Sequence, residues 1–114
     1  AEIGRRYPEL KLVMAHIGGD NRWGMRAIRD VPSIYTDCSG SISDYGSIER
    51  TVRHLGADRL LWGSDARGAD WLYTLGKVQG ADISDEDKVK VLGLNAARLL
   101  DLDVSTEEKS DSCD

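Results

Sequence analysis

The sequence predicts an α/β fold in which helices alternate with the strands of a parallel sheet, and three observations carry that expectation. Two short runs, Lys11-Leu-Val-Met-Ala-His16-Ile-Gly-Gly19 and Leu60-Leu-Trp-Gly63-Ser-Asp65, are almost continuously apolar, as strands buried on both faces are. Each stops at glycine beside a side chain that can bind metal or move a proton. Helical patterning returns after each run, which is the signature of βαβ units. Parallel α/β proteins keep their chemistry at the carboxyl ends of such strands, so His16 and Asp65 mark one candidate rim.

The elements follow in order. Residues 1-6 read as the end of a helix, stopped by Tyr7-Pro8 because proline disfavours a helical residue before it. The first strand is expected from Leu10 to Ala15. A helix follows from Asp20 to Arg29, with Trp23, Ala27 and Ile28 on its apolar face and Pro32 marking the exit. Ser33 to Cys38 is the second strand and opens into Ser39-Gly40-Ser41.

The next helix, Asp44 to Leu55, places Tyr45, Ile48, Val52 and Leu55 on one stripe and Glu49, Arg50 and Arg53 away from it. Gly56 stops it. Arg59 to Trp62 is the third strand, leading through Gly63-Ser64-Asp65 into a connection over 66-82 with a short helix from Trp71 to Lys77. Ser84-Asp85-Glu86-Asp87 is a helix start, with a capping hydroxyl and acids at the positive dipole end. That helix should reach Leu92 and break at Gly93, after which Asn95 caps a last turn set holding Ala96, Ala97, Leu99 and Leu100. Residues 103-114 have almost nothing apolar and read as a disordered polar tail.

Composition narrows the functions. The chain has 114 residues, 40% of them hydrophobic, and a net charge of -5, so it is one domain at most. The negative balance argues against nucleic acid or an anionic membrane as partner and leaves small molecules or proteins. No run approaches the roughly 18 apolar residues of a membrane span, and the start lacks a signal-peptide pattern. The expected location is therefore cytoplasmic. Cys38 and Cys113 have no metal-knuckle spacing, and Cys38 reads as a small buried hydrophobe.

Alternation along a strand groups Leu12, Met14 and His16 on one face and Leu61, Gly63 and Asp65 on another. Both faces are apolar or vacant before their polar end, as for side chains entering the mouth of a barrel or cleft. Gly63 should leave room below Asp65.

Three segments together resemble a known family. Tyr7-Pro-Glu-Leu-Lys-Leu-Val-Met-Ala-His16-Ile-Gly-Gly19, Gly56-Ala-Asp-Arg-Leu-Leu-Trp-Gly-Ser-Asp65 and Asn95-Ala-Ala-Arg-Leu-Leu100 are similar, in order and spacing, to the carboxyl-terminal part of amidohydrolase-related, ACMSD-like metal-dependent hydrolases. The resemblance spans residues 7 to 102. It implies a (β/α)8 TIM barrel, incomplete here, whose sixth, seventh and eighth strands are the three in this chain; residues 1-102 would form that part. It also implies that Asp65 is a ligand of the catalytic divalent metal, zinc first and manganese second. His16, in the His-x-Gly-Gly motif, would orient or deprotonate the metal-bound water. The chemistry is sound, since a metal lowers the pKa of bound water and a nearby base removes its proton.

The family's His-x-His pair and its further histidine have no counterpart here, where the histidines are His16 and His54. Three strands also leave two raw edges. The expectation is a fragment of a larger enzyme that awaits its amino-terminal strands or a partner chain and is inactive alone, with oligomers as an option. The chain also departs from the family after Asp65, running Ala66-Arg67-Gly68 where proline is usual. Arg67 could bind a substrate carboxylate in a bidentate contact, against the plainer reading of a solvated loop arginine.

The other polar residues have blander readings. His54 sits near a helix end, where a cation suits the dipole. Asp37 either joins the rim or caps a loop. Trp23, Trp62 and Trp71 read as packing groups, and Gly18-Gly19-Asp20 lacks the further glycines of a dinucleotide loop. Two functions are therefore carried forward. The first is a metal-dependent hydrolase or decarboxylase acting on a small molecule. The second is a non-catalytic α/β module that pairs its sheet edges with another chain.

Overall fold

Three parallel strands in the order β1-β2-β3 form the sheet: β1 (Leu12–Met14), β2 (Ile34–Asp37) and β3 (Leu60–Leu61). The register pairs Leu12 with Ile34, Met14 with Thr36, and Thr36 in turn with Leu60. This is a computed structural model, and it describes residues 1–20, 22–40 and 44–104. Ser41 and residues 105–114, most of the expected tail, lie outside the described residues.

The helices are α1 (Glu2–Arg6), α2 (Arg22–Ile28), α3 (Ser47–Leu55), α4 (Trp71–Gln79), α5 (Asp85–Val89) and α6 (Asn95–Leu99). The expected alternation of helix and strand is therefore present, with each strand two to three residues shorter than expected. The main core gathers Met25, Cys38, Ile48, Leu60, Val78 and Val91 around the sheet. Ile28, Val31 and Ile34 form a second cluster beside β1.

Two expected apolar stripes are shifted. Tyr45 lies before the helix, because Gly46 adopts a left-handed φ of 71° and starts α3 at Ser47; its ring is exposed. Thr51 takes the buried place on α3 instead, donating its hydroxyl to Ser47 O at 2.7 Å. Trp23 also faces outward, with the Arg26 guanidinium 5.6 Å from its ring, while Met25 and Ile28 hold the buried face of α2. Trp71 is exposed as well, whereas Trp62 packs partly buried against the core.

Gly93 does not break the last helix. The chain passes from α5 through a single π turn, Lys90–Leu94, into α6. Asn95 N–H bonds to Lys90 O across that turn, leaving Val91 O to accept from Trp62 N–H at 2.9 Å. The π turn thus frees a carbonyl to receive the chain leaving β3. Asn95 is fully buried rather than an exposed cap, and its Nδ2 donates to Ala57 O and Leu60 O. Ser84 does cap α5, accepting from Asp87 N–H at 3.1 Å.

Arg59 is the other internal clamp. Its guanidinium donates to Ile28 O, Arg29 O, Val31 O and Ile34 O at 2.7 to 3.0 Å. The fork ties the start of β3 to the segment joining α2 and β2, where only a planar multi-donor group reaches so many carbonyls.

Candidate active-site rim

The chain turns sharply as it leaves β1. Residues His16–Asp20 form a helical turn that is left-handed through Ile17, Gly18 and Gly19, and His16 itself has a φ of 56°. Ile17 at 52° is a costly position for a β-branched residue. Gly18 permits the turn to touch α2, since a Cβ on it would lie 2.8 Å from Gly24 Cα.

The end of β3 is bent in the same way. Asp65 has a φ of 52° and Arg67 of 80°. Four of the five non-glycine residues with positive φ among the described residues therefore sit just beyond β1 and β3, and three of them are His16, Asp65 and Arg67. Strain of this kind gathers at working sites. It also ends the strand alternation before Asp65. Gly63 makes room for Ser39, whose Cβ would lie 3.0 Å from a Cβ at that position, rather than for Asp65.

Between the two bends lies the end of β2, which supplies the polar centre. Asp37 Oδ1 accepts from His16 N–H at 3.2 Å, from Ser39 N–H at 2.9 Å and from the Ser39 hydroxyl. Ser39 Oγ lies 3.1 Å from His16 Nδ1. A hydroxyl has one proton, and a carboxylate only accepts. With that proton donated in the hydrogen bond to Asp37, Oγ presents a lone pair to His16, so Nδ1 carries the imidazole proton and Nε2 is the nitrogen without one. Gly40 packs against the same edge of the ring, where a Cβ would come within 2.6 Å of Nδ1.

Lys77, from the buried face of α4, reaches the same end of the sheet and donates to Gly40 O at 3.0 Å. Burial lowers its pKa, while the nearby carboxylates of Asp37 and Asp65 pull it back up. The ammonium thus stands in the field of both carboxylates. Cys38 beside it is 1% exposed, and burial pushes its thiol up to about 11, which makes it inert packing.

The rim does not bring all predicted residues to one place. A cavity of about 190 Å³ is lined by His16, Cys38, Ser39 and Lys77 among others. Arg67 lines a different one with Trp62, Ser64 and Trp71, and Asp65 lines neither. Adjacent strands lie about 4.8 Å apart, so β2 separates the outer strands by roughly 10 Å. No group of three or more His, Cys, Asp or Glu among the described residues is placed to hold a metal ion.

Sequence reasoning missed Ser39 and Lys77 and left Asp37 undecided. Ser39 follows Asp37 by two residues, the same-face spacing of a strand. Lys77 shares a helix face with the buried Thr74 and Val78, and a cation at such a position is the available signal.

No helix among the described residues is long and apolar enough to cross a membrane. A search of the curated proteins finds no match. Among solved structures, 5-carboxyvanillate decarboxylase from Sphingomonas paucimobilis superimposes with a TM-score of 0.69 at 18% identity, over 89% of this chain and 36% of that one. A dihydroxybenzoic acid decarboxylase from Polaromonas sp. JS666, with bound manganese and the inhibitor 2-nitroresorcinol, gives 0.70 at 20%, over 90% and 37%. An amidohydrolase from Burkholderia multivorans with bound zinc gives 0.68 at 17%, over 90% and 48%. The chain therefore spans less than half the length of these three structures. The Amidohydrolase family model matches residues 1–102, and the chain belongs to that family.

Proposed function

We propose that this chain is the carboxyl-terminal part, strands six to eight, of a (β/α)8 metal-dependent hydrolase or decarboxylase acting on a small molecule. The observation that carries the reading is the coincidence of His16 and Asp65 with the strained ends of β1 and β3. The fold match to decarboxylases and amidohydrolases supports it.

Asp65 is the metal ligand of the proposal, and His16 is the acid/base. A carboxylate and a neutral imidazole suit zinc or manganese, the metals bound in two of the similar structures. Bound, the metal would lower the pKa of water or polarise a substrate oxygen. The donors here are not gathered into a complete set, so no step is assigned through the ion in this chain alone. What the chain supplies is a fixed base: Asp37 holds Ser39, Ser39 holds Nδ1–H, and Nε2 is free to take a proton. Lys77 balances the two carboxylates. Arg67 is assigned, more peripherally, to a substrate carboxylate.

The partners of the proposal are the small-molecule substrate and the remaining barrel strands, which would pair with the open edges of β1 and β3. We place the whole protein in the cytoplasm, where a free buried thiol such as Cys38 stays reduced.

Metal analysis after dialysis against zinc or manganese tests this reading. The 114-residue chain should retain well under one equivalent and turn over no hydroxybenzoate. Stoichiometric metal and turnover by the chain alone would overturn the assignment of a partial site.

A further inference from the structure

A cluster of basic side chains lies beside the rim, on the helices that flank it. Arg22 and Arg26 lie one turn apart on α2 with Arg29 just beyond its end, and Arg50, Arg53 and His54 lie along α3. Both sets line one groove of about 640 Å³ with the buried Met25 among its lining residues. Two carboxylates share it: Glu49, engaged by Asp82 N–H at 2.9 Å, and Asp82 itself.

In a chain of net charge -5, five guanidinium groups converging on one groove are not a general basic surface. Arg22, Arg26, Arg29 and Arg53 form no ion pair with any carboxylate among the described residues. Arg50 pairs with Asp44, yet its Nε is buried and has no acceptor among the described residues. Like charges at helical spacing repel, and a bound polyanion would relieve that repulsion while offering acceptors to the guanidinium forks.

We propose that this groove binds a small phosphate-bearing polyanion. Its volume lies in the range of small-molecule sites, and its acidic members bound its length, which favours a small molecule over a nucleic-acid strand. Both walls of the groove belong to this chain. Arg22 and Arg50 also line the cavity that holds His16, and an occupant would therefore abut the rim. The proposal does not depend on the roles given to His16 and Asp65.

Calorimetric titration of the full chain with pyrophosphate, at constant ionic strength, tests it. Saturable one-to-one binding is expected, weakened about tenfold or more in Arg26→Gln/Arg53→Gln and unchanged in Arg5→Gln, whose arginine is exposed on α1 outside the groove. Thermal unfolding provides a second readout: pyrophosphate should raise the midpoint of the parent and leave the double variant unmoved if it still folds. Absence of saturable binding, equal loss in Arg5→Gln, or binding of a single-stranded oligonucleotide but not of pyrophosphate would each overturn the proposal.

Discussion

Replacing Asn95 by alanine removes the two hydrogen bonds that its side-chain amide donates beneath the rim. Nδ2 donates both of its protons, to Ala57 O at 2.7 Å and to Leu60 O at 2.8 Å, and the residue is fully buried. Each neutral hydrogen bond contributes about 1 kcal/mol net, and a buried acceptor stripped of its donor adds a desolvation cost of similar size. Ala57 O keeps a second partner in Leu60 N–H, which limits that second cost to one carbonyl. The expected loss is about 3 kcal/mol, a large fraction of the roughly 5–15 kcal/mol of a typical domain. Urea unfolding followed by circular dichroism should show a lower midpoint with an unchanged slope. Asn95→Asp keeps the volume but replaces the donor by an acceptor facing two carbonyls, so at neutral pH it should lose at least as much. Either variant within about 0.5 kcal/mol of the parent would refute the reasoning. A stable Asn95→Asp beside an unstable Asn95→Ala would assign the effect to volume instead.

Other outcomes follow from the same geometry. Arg59→Lys keeps the charge but loses the fork, and its thermal unfolding should report a loss of about 2 kcal/mol; an unchanged midpoint would contradict the clamp. In a Cys113→Ser background, Cys38 should react with a thiol reagent only as fast as the chain opens. The Cys38 pKa is raised by burial from 9.0 to about 11, so the folded state keeps a proton that the unfolded state releases. That contribution is whole below pH 9 and is lost as pH rises towards 11, with a slope of up to about 1.4 kcal/mol per pH unit. Cys38→Ala should remove that slope, and an identical decline in the variant would reject the assignment. Ser39→Ala should move the His16 imidazole proton from Nδ1 towards Nε2, read from its nitrogen chemical shifts; an unaltered tautomer would show that Ser39 does not set it.

The strands were legible because short, almost continuous apolar runs admit few other readings. The bends after β1 and β3 were not, since alternation extends the strand faces to His16 and Asp65, where the backbone instead turns left-handed. The helix faces were legible in part. Tyr45 fits the stripe of Ile48 and Val52 by spacing, and only the left-handed Gly46 removes it from the helix. Trp23 is apolar and correctly spaced, yet the contact between Gly18 and Gly24 fixes the roll of α2 and turns the indole outward. Gly93 is a breaker by propensity, but Val91 is needed in the core and Asn95 at β3, and the π turn satisfies both. At the rim, histidine and aspartate were visible from their position, whereas Ser39 and Lys77 gain meaning only through partners far along the chain.

The central proposal is that Asp65 binds the metal within range of the His16 imidazole, and manganese broadening of the imidazole signals tests it most directly. The chain has two histidines, so His54, exposed near the end of α3, serves as an internal control. Added Mn²⁺ should broaden the His16 ring signals well before those of His54, and Asp65→Asn should abolish the difference. Equal broadening of both rings, or selective broadening that survives Asp65→Asn, would contradict the account.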